Sequence, residues 1–229
     1  MYVVICWVDS KTIKEVKVVF ITFEGIGGCG KTTQIAKSLE ALKEAGYEVI
    51  RTREPGGSIG AEEIRTLLLS GEVEKWSAET EVLLFNAARR DHLEKVIWPS
   101  VEAGTIVLSD RFVDSTRVYQ GVARSDLREL VDSLHNLAIS YEADLTLIID
   151  ITAEESLNRM DQAMRDEQDR FDEMGLKFQQ ALREGYLALA REANRYVVID
   201  GHGTADQVFM RVWEVLRVSL PTIKQPAPN

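Results

Sequence analysis

The chain has 229 residues, 45% of them apolar and 28% charged, and a formal net charge of −10. That length buries one sizeable core, and the composition is that of a folded α/β domain, not of a disordered chain. The acidic balance argues against duplex nucleic acid or an anionic membrane as a partner, since both reward a basic patch, and no apolar run is long enough to cross a bilayer.

Residues 1–16 form an N-terminal extension, broken by Asp9-Ser10-Lys11. Its apolar start is short and lacks both a basic n-region and a small-residue cleavage site, so it is not read as a signal peptide. The two cysteines are Cys6 and Cys29, and reduced thiols in a cytoplasmic setting are expected. Residues 18–23 are β-branched and aromatic and form a buried strand. The next segment is Gly25-Ile26-Gly27-Gly28-Cys29-Gly30-Lys31-Thr32, the G-x-x-x-x-G-K-T phosphate-binding loop, followed by Ile35, Leu39 and Leu42 at helical spacing. Strand, glycine loop and helix together predict an anion site built from loop amides and a helix N-terminus. Lys31 is expected on the outer phosphates of a nucleoside triphosphate and the Thr32 hydroxyl on Mg2+, with Thr33 completing the loop. Cys29 lies at a helix N-terminus, where a thiol can become reactive, but with no His or second Cys near it in sequence it reads as a small loop residue.

Gly46 stops the first helix, and residues 47–51 form a second strand. Pro55-Gly56-Gly57 makes a turn, and a helix follows through Leu67-Leu68-Leu69. Ser77 caps a long helix with Glu79 and Glu81 in its first turn, ending near Trp98-Pro99 or running to Gly104. Residues 105–108 form a third strand, 126–141 a helix, 145–149 a fourth strand and 196–199 a fifth. A last helix starts near Thr204 and aligns Val208, Val212, Val215 and Leu216 on one face. The domain is read as residues 17–218, followed by a flexible tail at 219–229. Strands alternating with helices predict a three-layer α/β fold, a five-stranded parallel sheet with helices on both faces. Ligands in such sheets bind at the carboxyl ends of the strands. Those ends carry the glycine loop, Arg51-Thr52-Arg53-Glu54, Asp110-Arg111 and Asp150.

A phosphate loop serves switches as well as phosphotransferases. A GTPase-type switch needs Asp-x-x-Gly and then Asn-Lys-x-Asp. Here Asp200-Gly201-His202-Gly203 comes too late, and Asn158-Arg159-Met160-Asp161 lies in a helical segment with Arg in place of Lys. Basic residues at strand ends favour phosphoryl transfer, where charge stabilisation dominates and an arginine fork grips phosphate bidentately. Arg53 and Arg111 are placed to hold an acceptor phosphate opposite the loop.

From about Val18 to Leu216 the chain resembles the thymidylate kinases, P-loop enzymes that phosphorylate dTMP to dTDP. The resemblance rests on Phe20-Ile21-Thr22-Phe23-Glu24-Gly25 ahead of the loop, Arg53-Glu54-Pro55-Gly56-Gly57, Leu83-Leu84-Phe85-Asn86-Ala87-Ala88-Arg89, Ser109-Asp110-Arg111-Phe112 and Tyr119-Gln120-Gly121, in the family's order. It implies that Phe85 stacks on thymine and Arg89 reads a base carbonyl. It places Arg53 and Arg111 on the acceptor phosphate, with Asp110 near the reacting phosphates. Ser115 belongs to the acceptor segment, Thr116 and Gln120 sit near the base, and Tyr119 lies beneath the sugar. Without the family, Phe85 reads as core, Arg89 as surface charge and Arg53 as a partner of Glu54.

The resemblance also implies a lid over residues 159–171. Some members carry a catalytic Arg inside the loop, at the position of Gly28; here the lid supplies it, Arg165 first and Arg170 second. The family usually has Asp or Glu at the position of Gly27, near the acceptor's 3′-hydroxyl, so this chain relies there on Glu24, a water or nothing. A homodimer is implied. The alternatives are another nucleoside monophosphate kinase or a P-loop regulator without turnover.

Overall fold

A computed structural model describes residues 18–72, 74–123, 126–162 and 175–220. The expected extension at 1–16, most of the tail, and Arg165 and Arg170 of the lid lie outside these residues.

Strand β1 (Phe20–Glu24) is buried along its whole length at the centre of the sheet. The sheet also contains β2 (Val49–Arg53), β3 (Ile106–Asp110), β4 (Leu145–Asp150) and β5 (Tyr196–Asp200). The order is β2-β3-β1-β4-β5 and every pairing is parallel, as expected for strands joined by helical crossovers. Period-two alternation splits β1 between two cores. Ile21 and Phe23 pack with Leu42, Leu182, Val212 and Leu216, while Phe20 packs with Val82, Leu93, Ile97 and Phe112 on the opposite face. The start of β1 is fixed by Asp144, whose Oδ2 accepts from the amides of Val19 and Phe20 at 2.9 and 2.8 Å.

Helix α1 (Lys31–Glu44) follows the glycine loop and α2 (Ile59–Leu69) the Pro55 turn. Helix α3 (Ala78–His92) is capped by Ser77, whose side chain accepts from the Thr80 amide. It runs through a widened turn at Leu93–Ile97 directly into α4 (Trp98–Glu102). Pro99 therefore does not end the helix, because the widened turn relieves the clash its ring would make one turn back. Helices α5 (Val113–Val118) and α6 (Arg128–Leu134) are each extended by a widened turn, at Tyr119–Ala123 and His135–Ile139. Helix α7 (Ala153–Gln162) precedes residues 163–174 and α8 (Gly175–Leu189) follows them; α9 (Ala205–Ser219) closes the fold. Among the described residues no helix is long and apolar enough to cross a membrane.

The strands reach further toward the site than expected. β2 ends at Arg53 and β3 at Asp110, so both residues sit on strand ends with their backbones held by neighbouring strands, Arg53 in register with Asp110.

Candidate active site

A cavity of about 870 Å3 opens along the carboxyl ends of the strands, lined by Gly27, Gly28, Gly30 and Lys31 of the glycine loop and by Phe85, Arg89 and Arg111, with Arg111 Nη1 donating to the Gly25 carbonyl at 3.2 Å. Thr32, Thr33, Arg53, Asp110, Ser115, Thr116, Tyr119 and Gln120 also line it, so residues from four separate stretches of sequence converge on one space. Of the loop residues named from sequence, Gly25, Ile26 and Cys29 do not line it. The Ile26 and Cys29 side chains are buried in the core, and these positions act through their backbone.

At the loop, Lys31 is 7% exposed and its ammonium donates to the carbonyls of Gly25 and Ile26, both at 3.0 Å, and to Cys29 Sγ at 3.6 Å. This parks a cation beside the amides that would cradle phosphate. The Thr32 hydroxyl donates to Asp110 Oδ2 at 2.9 Å. A hydroxyl and a carboxylate oxygen are thus side by side next to the phosphate loop, hard donors suited to a small divalent cation that keeps most of its other ligands as water and phosphate. Among the described residues no cluster of three His, Cys, Asp or Glu side chains could hold a metal by itself. Gly28 has φ +66°, and a Cβ there would lie 2.8 Å from the Ser156 carbonyl. Ser156 Oγ in turn donates to the Gly27 carbonyl at 2.7 Å, so the loop is clasped to α7 at a distance only glycine permits.

The rest of the cavity wall is built around arginines. Arg89 is 1% exposed. Its Nε donates to Glu54 Oε2 at 2.8 Å and its Nη2 to Thr116 Oγ1 at 2.9 Å, and its guanidinium lies 5.2 Å from the Phe112 ring centre. Its Nη1 has no hydrogen-bond partner among the described residues. Glu54 holds His92 with its other oxygen at 3.1 Å, and His92 Nε2 lies 2.6 Å from Thr52 Oγ1. Gln120 is buried and donates to Glu81 at 3.0 Å. Arg53 is half-exposed and pairs with Glu62 at 3.1 Å, not with Glu54.

Arg111 has φ +71°, a left-handed backbone uncommon for a side-chain-bearing residue. The strain is held by its amide, which donates to the Phe23 carbonyl at 3.0 Å. Its Nη2 donates to the Tyr119 hydroxyl at 3.2 Å, and its guanidinium lies 5.1 Å from the Tyr119 ring centre. Glu24, which sequence left available for the acceptor sugar, does not line the cavity. Its Oε1 accepts from the Phe112 amide at 2.8 Å and its Oε2 from Ser115 at 2.6 Å and Tyr186 at 3.1 Å. Burial, and then the Asp114 carboxylate, push its carboxyl up to about 7. Tyr186 was missed from sequence. It falls on the apolar stripe of α8 with Leu182 and Leu189, where a tyrosine reads as core.

The comparisons with known proteins agree with this geometry. The family model for thymidylate kinase matches residues 23–212. A thymidylate kinase of Ruegeria pomeroyi is 52% identical over 202 residues, covering 88% of this chain and 95% of that protein. One of Dinoroseobacter shibae is 56% identical over 183 residues, covering 80% and 88%. A crystal structure of thymidylate kinase from Ehrlichia chaffeensis superimposes with a TM-score of 0.71 at 34% identity, covering 87% of this chain and 99% of that one. On this extent of likeness, the chain belongs to the thymidylate kinase family.

Proposed function

We infer that this cavity phosphorylates dTMP to dTDP with ATP as donor and magnesium as the metal. The observation that supports it best is one cavity that brings a phosphate loop together with Phe85, Arg89 and Arg111. Phosphoryl transfer asks little covalent chemistry of a protein. It asks that donor and acceptor be aligned and that charge on the moving group be met by fixed cations.

Lys31 exchanges its loop carbonyls for the outer phosphate oxygens of ATP. Arg111, on its constrained backbone, grips the acceptor phosphate, and Arg53 at the end of β2 adds a second cation from the rim. The acceptor phosphate oxygen is already nucleophilic, so Asp110 is needed for orientation and not as an obligatory base. Thr32, beside Asp110, would hold magnesium, which would supply positive charge to the donor phosphates. Phe85 offers its ring to thymine, and the unpartnered Nη1 of the buried Arg89 is a donor for a base carbonyl. Thr116 and Gln120 line the base end, and Ser115 and Tyr119 the side of the sugar and phosphate. Arg165, with Arg170 as second candidate, brings the lid cation to the transferring group and closes out water.

A homodimer in the cytoplasm completes the reading. Leu83 on α3 and Leu137 on the segment packed beside it are 56% and 84% exposed, apolar surface that a second copy would cover.

The test is ADP production from ATP and magnesium across a panel of nucleoside and deoxynucleoside monophosphates. Turnover with dTMP well above the others is expected. Equal rates across the panel, or hydrolysis with no acceptor dependence, would sink the reading.

A further inference from the structure

Arg111 is held by Ser115, which lines the cavity, and from behind by Tyr186 and Glu24, which do not. Its Nη1 donates to Ser115 Oγ at 3.0 Å and to the Tyr186 hydroxyl at 3.2 Å. Both hydroxyls pass their own proton to Glu24 Oε2, at 2.6 and 3.1 Å. The two hydroxyls also lie 2.9 Å apart, within reach of each other's single proton; with both protons turned to an ionised Glu24, each hydroxyl accepts from the cation and donates to the anion. Guanidinium and carboxylate are thereby joined through two hydroxyls polarised in the same direction. A charge-assisted arrangement of this kind fixes orientation more firmly than neutral hydrogen bonds do.

Ser115 lies on α5, close to Arg111 in the chain. Tyr186 comes from α8 and is 1% exposed. Its neighbour Gly185 explains how it arrives: a Cβ there would lie 2.9 Å from Val118 Cγ1, so α8 lies against α5 closer than a side chain would allow. Gly185 brings the helices together and Tyr186 uses the closeness to reach Arg111.

We propose that Tyr186 is a positioning residue for Arg111: docked by Gly185, its hydroxyl aims the guanidinium at the acceptor phosphate and ties α8 to the acceptor end of the cavity. The inference rests on the reading of Arg111 as the acceptor-phosphate clamp. It carries a pH signature. The groups facing the Glu24 carboxyl are Asp114 and Ser115 of α5, Arg111 and the Phe112 amide ahead of α5, and Tyr186 of α8. The bridge needs Glu24 ionised, because its charge orients both hydroxyls toward it and leaves their lone pairs to Arg111.

The experiment is Tyr186→Phe, which keeps the ring and removes the hydroxyl, beside Arg111→Lys. In Tyr186→Phe, kcat/KM for dTMP should fall about tenfold, the worth of one hydrogen bond to a charged group, with KM for ATP unchanged. The acid limb of the rate profile should move to higher pH, since Glu24 has lost a donor that favours its ionised form. Gly185→Ala, which displaces the helix and leaves the hydroxyl, should give the same split between the two substrates. A Tyr186→Phe enzyme with wild-type kcat/KM and acid limb, while Arg111→Lys is impaired, overturns the positioning role alone. Losses shared equally by both substrates with an unmoved acid limb also overturn it, as they mark a structural role. If Arg111→Lys handles dTMP like the wild type, the clamp reading itself fails.

Discussion

The ion pair between Glu54 and Arg89 is nearly sealed from water, with side chains 3% and 1% exposed. Such a pair seldom adds net stability, because desolvating two charges costs about what their attraction returns. Its use here is geometric. Glu54 and Thr116 take two nitrogens of Arg89 and leave Nη1 for a ligand. Replacing Glu54 with Gln keeps the shape and removes the charge, leaving a buried guanidinium without its counter-ion. The variant should lose roughly 3 kcal/mol in urea unfolding and show a raised KM for dTMP with KM for ATP little changed; unchanged dTMP affinity would show that the pair does not set the base contact. This pairing was not legible in sequence, where Arg53 stands next to Glu54 and competes for it. The two are adjacent on an extended strand end, so their side chains point to opposite faces. Arg53 turns to Glu62 at the rim and Glu54 inward to Arg89.

At the scale of elements, α9 is specified by local chemistry. The Thr204 hydroxyl accepts from the Gln207 amide at 3.3 Å, and Gln207 Oε1 accepts from the Thr204 amide at 2.9 Å, a reciprocal capping box. Val208, Val212 and Leu216 are buried on one face. Thr204→Ala should cost about 1 kcal/mol of stability, measured by denaturant unfolding, and leave kcat unaltered because α9 does not line the cavity. The start of α9, the Ser77 cap and the five strands could all be read from sequence because cap chemistry and apolar runs act locally. The extent of β2 could not. Its outer half carries Arg51 and Arg53 on a strand that, among the described residues, lies at the sheet's edge and pairs only with β3, and apolarity reports burial, not pairing. Tyr186 escaped for a different reason: its hydroxyl partners lie 71 and more residues away, and nothing within α8 distinguishes it from the leucines on either side.

Across the whole molecule, two carboxyls, Glu24 fully buried and Glu142 40% exposed, pull stability in opposite directions as pH changes. Glu24 is raised from the ordinary 4.5 to about 7 by burial and by Asp114. The folded state therefore holds its proton more tightly, and the associated stability is present below pH 4.5 and lost as pH rises toward 7. Burial would also raise Glu142, but hydrogen bonds from His135 and Arg117 and the charge of Arg195 outweigh it and hold it below 4.5. Its contribution is present above pH 4.5 and lost as pH falls. Urea midpoints should accordingly peak in mildly acidic solution, and Glu24→Gln should flatten the decline on the alkaline side while sparing the acid one; a decline unaffected by the substitution would assign it to other groups. The enzyme is thus expected to work best on the alkaline side of its stability maximum, where Glu24 is ionised. Helices α7 and α8 are each moored to the site by one hydroxyl: Ser156 fastens α7 to the Gly27 carbonyl and Tyr186 fastens α8 to Arg111. Each mooring is a single hydrogen-bonding atom, so Ser156→Ala and Tyr186→Phe would release one helix at a time and leave the other's hold on the cavity wall in place.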